Sequence, residues 1–217
     1  AVETEDGSRI TLGADTSVAV TFTEQERHVL MSAGEAFFQV VSDRTRPFVV
    51  VSGDVRVTVH GTAFDVRSTD LGTRVSVSEG LVSVDYLAAQ RGKTSDADAH
   101  RLSRPTNQDP MVLVAGETVT VQKHSGFGMI AHIRPESVAP WRNNFLVYID
   151  APLAELINDI NRYRPRKIRI ADADIAALTV TATFDSHDID AMLHSLTQVF
   201  PIRLKHTPHG SVLHRHP

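Results

Sequence analysis

The chain has 217 residues, 41% of them hydrophobic and 22% charged, with a net charge of −4 when histidine is neutral. That length supports one large or two modest domains with cores of their own, and the acidic balance removes any overall field drawing nucleic acid or anionic lipid. There is no cysteine, which excludes disulfides, thiolate metal sites and a cysteine nucleophile.

From residue 1 to about 87 the text is strand-like. Ile10 and Leu12, then Val18, Val20 and Phe22, alternate with polar partners, the period-2 pattern of a half-buried sheet. "RVTVHG", "RVSVS" and "LVSVDY" repeat the alternation, and "EDGS", "SDRTRP", "SGD", "STDLGT" and "SEG" supply turn chemistry between them. A local pattern of strand, small residues, Gly and strand recurs in "LMSAGEAFFQV", "VSVSEGLVSV" and "VLVAGETVTV". Its unequal spacing excludes a regular solenoid. An all-β domain over 1–126, built as a sandwich or a short irregular β-helix, is expected. The stretch 88–110 has Leu102 as its one large apolar residue, so a flexible surface loop is expected there.

Residues 127–140 are expected to act as a linker, and at Trp141 the period changes. "FLVYIDA" reads as a strand, and Leu153, Leu156, Ile157 and Ile160 then stand on one helical face, with Pro152 suited to the first turn. "KIRIA" and "LTVTATF" read as strands. Ile189, Met192, Leu193, Leu196 and Phe200 restore helical spacing, with Ser186 or Asp188 as the cap. "PIRLKH" and "SVLHRH" close the chain as a strand pair. The order β-α-β-β-α-β-β predicts a small layered domain over 141–217, giving an α+β class overall.

Those segments carry a family resemblance. "DGSRITL", "GEAFFQV", "RPFVV", "HGTAFDVR" and "VSEGLVSV" resemble, in order, the signature segments of the FecR family of sigma-factor regulators. The region from "APWRNNFLVYIDAPLAEL" onward is similar to the short N-terminal domain of secretins and TonB-dependent receptors (STN-like). The resemblance implies the periplasmic part of a single-pass inner-membrane regulator, or anti-sigma factor, in iron-siderophore cell-surface signalling. Its implied partners are the periplasmic signalling domain of a TonB-dependent outer-membrane transducer, periplasmic and intramembrane proteases, and a sigma factor held by a cytoplasmic segment. That segment and the membrane helix are not in these residues, so an excised periplasmic piece is expected. No cofactor is implied.

Candidate chemistry is sparse. In the family, cleavage between a Gly and a Thr of the matching "GT-x-F" segment implies self-cleavage at Gly61-Thr62: Thr62 supplies a hydroxyl nucleophile and Gly61 leaves its carbonyl uncrowded. His60 stands beside the bond. Arg46-Pro47 reads as strand-starting architecture with Asp43 as ion partner, and Glu35 and Glu117 as outward acids of a recurring turn. Eleven histidines are present, with His206, His209, His214 and His216 crowded near the end, yet no acid at suitable spacing completes a metal set. A cupin-type enzyme using His28 or His60, or a structural cell-envelope module, are the rival readings. For partner binding, the candidates are the basic knot Arg162, Tyr163, Arg164 and Arg166 and the strand residues Leu178, Val180, Phe184, Ile202 and Leu204, because exposed sheet edges accept added strands.

Overall fold

The computed structural model describes residues 1–69, 72–87, 109–208 and 210–216. The chain separates into two compact units, Ala1–Ala139 and Pro140–Pro217. The expected loop at 88–110 lies, up to residue 108, outside the described residues, as does His209.

The first unit contains, among the described residues, β1 (Val2–Glu3), β2 (Arg9–Leu12), β3 (Ser17–Phe22), β4 (Arg27–Gln39), β5 (Phe48–Ser52), β6 (Val55–Val59) and β7 (Ala63–Ser68). It continues through β8 (Gly72–Glu79), β9 (Leu81–Tyr86), β10 (Met111–Val114), β11 (Glu117–Gln122), β12 (Gly126–Phe127) and β13 (Ala131–His132). The hydrogen-bonded path runs β10-β9-β6-β5-β4-β7-β8-β11-β12, so the strands form one curled sheet. Every described ladder in this unit is antiparallel except β4 with β5. The described ladders contain no stacked parallel coils of the kind that define a β-helix, and the unit is an all-β domain built as one curled sheet, a half-barrel. Residues 127–140, expected as a linker, instead hold β13 paired to β11, and Phe127 packs edge-on against Tyr86 at 6.4 Å.

The curl originates in β4. Its first half pairs with β3 and β5, its second with β2 and β7. The residues that join the core cluster sit at odd positions Val29 and Met31, then at even positions Ala36 and Phe38. A one-residue slip in a period-2 strand moves side chains to the other face. The slip is visible in the register: Val18 opposes Met31 and Ser17 opposes Ala33, leaving Ser32 as the extra residue of a bulge. Gly34 follows at φ 95°, where a Cβ would clash with Thr16.

The same chemistry recurs where the chain passes between the two wings of the sheet. Gly80, at φ 84°, leads from β8 beside β7 to β9 beside β6. Gly116, also at φ 84°, leads from β10 to β11. The small-residue-Gly pattern repeated in the sequence thus marks corners at which strands change wing.

Between the wings lies a core of Ile10, Met31, Phe38, Phe48, Phe64, Leu113 and a dense set of valines, essentially inaccessible to solvent. Phe38 is its hinge, stacked on Phe64 at 5.0 Å and edge-on to Phe48 at 6.1 Å. Arg27 opens β4 with a fully buried side chain. It donates from Nη1 to Asp6 Oδ2 at 2.6 Å and to Val41 O at 2.9 Å, and from Nε to Arg46 O at 3.0 Å. The guanidinium also lies 5.4 Å from the Phe48 ring centroid. One buried cation thereby ties the N-terminal turn to two later loops.

The second unit contains β14 (Phe145–Pro152), α1 (Leu153–Ile160), β15 (Ile168–Ile170), α2 (Ala173–Ala176), β16 (Thr179–Asp185), α3 (Ile189–Val199), β17 (Ile202–Thr207) and β18 (Gly210–Arg215). It follows the expected order with one addition, the single-turn α2. Pro152 precedes α1 rather than entering it, and Asp188 caps α3 by accepting from Ala191 N at 3.1 Å. The described strands form a β14-β16 pair and a β15-β18-β17 sheet. Leu153, Leu156, Ile157 and Ile160 of α1 and Ile189, Met192, Leu193 and Leu196 of α3 are buried in the core, with Val180, Ile202 and Leu213 from the strands. Asn161 clamps β15 end-on, donating to Ile168 O and accepting from Ile168 N at 2.8 and 2.7 Å.

Candidate functional site

The described residues contain no group of three or more His, Asp or Glu placed to hold a metal ion. His60 is exposed, and His214 lies on β18 with His216 just beyond it. Glu117 bends back to accept from Val114 N at 3.0 Å. Asp43 gathers Thr45 and Arg46 around one carboxylate oxygen and faces the Arg46 guanidinium at 3.6 Å, which sets up Pro47 before β5. The hydrogen bond from the Thr45 hydroxyl is the main reason the Asp43 carboxyl is held below its usual range. These are turn-building interactions.

Gly61 and Thr62 stand where β6 gives way to β7. Gly61 is required by space, because a Cβ there would fall 2.7 Å from Ser42 Cα. Thr62 is buried, its carbonyl accepting from Val40 N at 2.9 Å. Its Oγ1 is enclosed without a hydrogen-bond partner among the described residues. A buried orphan hydroxyl is costly, and here it belongs to the residue whose hydroxyl would attack the preceding carbonyl.

The second unit holds the groove-forming surface. The register of β17 on β18 decides what the free side of the strand displays. His216 N donates to Pro201 O at 2.8 Å, and the pairs alternate from there. Antiparallel alternation turns the main-chain groups of Arg203, Lys205 and Thr207 towards β18, and those of Leu204 and His206 away from it. Among the described residues no strand pairs with β17 on that side. A groove of about 740 Å³ runs along it, bounded by α3 and lined in part by Arg164, Asp190, His194, Arg203, His206 and His216.

The expected partner-binding residues divide. Arg164 reaches the groove and is held by Asp190 at 2.6 Å. Leu204 lines it as well and is half-buried. Arg162 and Tyr163 are half-buried in the turn after α1, and Arg166 is exposed beyond them. Leu178 and Phe184 are half-buried, and Phe184 packs on Tyr148 at 6.5 Å. Val180 must be corrected: it is 2% exposed, faces the core and offers no contact surface, while Ile202, also 2% exposed, reaches a partner only through the floor of the groove. Strand alternation marks which residues share a face but not which face the helices cover. Arg203 and His194 also line the groove without standing out in the sequence as contact residues; pairing "PIRLKH" with "SVLHRH" in register points to Arg203. Also missed was an apolar stripe on β14, where Phe145, Val147 and Ile149 are 48%, 42% and 71% exposed.

Residues 1–83 match a family model described as "FecR protein". No curated protein matches the chain. Two crystal structures of a "putative anti-sigma factor" from Parabacteroides distasonis ATCC 8503 share the fold. One is 24% identical with a TM-score of 0.82, covering 99% of this chain and 93% of its own. The other is 25% identical with a TM-score of 0.81, covering 99% and 92%.

Proposed function

We propose that this chain, which belongs to the FecR family, is the periplasmic signal-receiving region of an inner-membrane sigma-factor regulator. In this reading the second unit docks the periplasmic signalling domain of a TonB-dependent outer-membrane transducer during iron-siderophore signalling. The observation that carries it is the unpaired side of β17 with its adjoining groove, because an exposed strand edge gains main-chain hydrogen bonds when a partner adds a strand. Likeness to anti-sigma factor structures along both units supports the regulator, and no described helix is long and apolar enough to cross a membrane. Signalling further demands that the transducer's two states bind with different free energies. Titration calorimetry of the full chain against its transducer's signalling domain tests the reading. A saturable one-to-one complex is expected, and absence of heat and of co-migration overturns it.

The orphan Thr62 hydroxyl favours a second activity, scission of the Gly61-Thr62 bond. Thr62 Oγ1 attacks the Gly61 carbonyl carbon, the amide nitrogen takes up the hydroxyl proton, and the C–N bond breaks to leave an ester and a free amine. Water then cleaves the ester, releasing the Gly61 carboxylate and restoring the hydroxyl. Intact-mass measurement of freshly purified chain should find pieces 1–61 and 62–217, absent from Thr62→Ala. A wild-type chain unbroken at this bond overturns the proposal.

A further inference from the structure

We infer that the groove along β17 takes an extended acidic segment, which adds to the sheet as a strand and presents carboxylates to the groove's cations. The inference rests on the reading of the second unit as a docking module and names the chemistry of what docks. Three observations carry it. The first is main-chain direction: Leu204 and His206 point their N–H and C=O groups away from β18, at the two-residue spacing an incoming strand requires.

The second is charge. Arg164, His194, Arg203, His206 and His216 line the groove, and Asp190 is its one acidic residue. Asp190 is engaged by Arg164 at 2.6 Å. Arg203 Nη2 donates to His216 Nε2 at 3.2 Å, a neutral acceptor that leaves the Arg203 charge unbalanced within the groove. The groove's own side chains therefore leave a cationic excess, which a segment carrying Asp or Glu neutralises. Guanidinium and imidazole N–H groups are both hydrogen-bond donors suited to carboxylates.

The third is the floor. Leu193 and Ile202 are each 2% exposed and close the bottom, with half-buried Leu204 beside them. A segment alternating acidic and aliphatic residues matches both surfaces, since successive side chains of a strand point to opposite faces. β17 has six residues, so the matching segment is about six residues long.

The test uses the full chain and fluorescein-labelled heptapeptides read by anisotropy, with amide chemical shifts locating the contact. A Glu-Val alternating peptide is expected to bind and to perturb the amides of Leu204 and His206. The same peptide with Lys for Glu should bind at least tenfold more weakly. A version with Pro for the central Val keeps the charge but loses a main-chain donor, and is expected to lose a similar factor. The variant Arg203→Glu with His206→Glu changes two exposed positions, and should weaken the acidic peptide at least tenfold with its melting temperature near wild type. Equal binding of the Lys peptide, indifference to Pro, or shifts away from β17 overturns the inference. Equal uptake of polyphosphate marks a general anion surface and overturns it too. A signalling domain that binds the double variant as tightly as wild type removes this groove while leaving the docking reading standing.

Discussion

The two units use their strands in opposite ways. In the first, β4 serves four neighbours along its length and the interior is sealed by stacked and edge-on phenylalanines. In the second, five strands are divided between a pair and a three-stranded sheet, and β17 keeps one side unpaired among the described residues. Polar groups follow the same division. Arg27 is buried and held by three oxygens from distant segments, whereas the Arg164–Asp190 and Arg215–Asp174 pairs of the second unit lie at its surface. Buried ion pairs resist separation and surface pairs exchange readily with water or a partner. The first unit is thus built to hold its form, the second to be engaged.

The sharpest way to break that contrast is to open the first core. Phe38→Ala removes the ring joining Phe48 to Phe64 and should cost about 3–5 kcal/mol of stability. Trp141 is the one tryptophan of the chain and lies in the second unit. The far-ultraviolet dichroism transition should therefore shift to lower denaturant while the tryptophan fluorescence midpoint stays. Coincident shifts of both signals would join the units into a single cooperative block.

Next in size is the N-terminal tie. Asp6→Asn leaves Arg27 buried without its counter-charge and should cost about 3 kcal/mol. Burial alone would raise the Asp6 carboxyl, but hydrogen bonds from Thr4, Ser8 and Arg27 outweigh it and hold the group far below the usual carboxylate range. A depressed folded-state pKa gives stability that is present above the unfolded pKa and drains away as pH falls below about 4. Wild type should lose stability through that acid window, and the Asn variant, already without the contribution, should show a flatter profile. Parallel profiles would deny the tie its electrostatic origin.

What was legible in the sequence follows the range of the interactions. Both long helices of the second unit showed in the i, i+3, i+4 spacing of Leu153 to Ile160 and Ile189 to Leu196, because periodicity is local. The single turn α2, "ADIA", is too short to complete a period. The corner pattern around Gly34, Gly80 and Gly116 was visible as text. Its meaning, a change of wing, depends on pairings across the unit. The Asp6–Arg27 tie spans 21 residues and leaves no periodic trace. Val180 and Ile202 look exposed in the sequence because alternation fixes which residues share a face, while the packing of helices decides which face is hidden. The groove, too, forms only once α3 is set against β17.

Two smaller changes sharpen the contrast from each side. Asp188→Ala removes the oxygen that accepts from Ala191 N at the start of α3, and should cost the second unit about 1 kcal/mol. Here the tryptophan midpoint should move and the bulk of the dichroism should not. Asp85→Asn is the smallest and has the opposite sign. Burial raises the Asp85 carboxyl above its usual range, and the charge of Arg56, its partner across the β6–β9 ladder, only partly counters this. A raised carboxyl favours its neutral form in the fold, so above the unfolded pKa the charged group detracts from stability. The Asn variant should be slightly more stable than wild type at pH 7, and that advantage should vanish near pH 3, where both side chains are neutral. A variant less stable at pH 7 would mean that the Arg56 attraction outweighs the cost of burying Asp85, and that the outer face of the first unit is tied by charge as its N-terminal turn is.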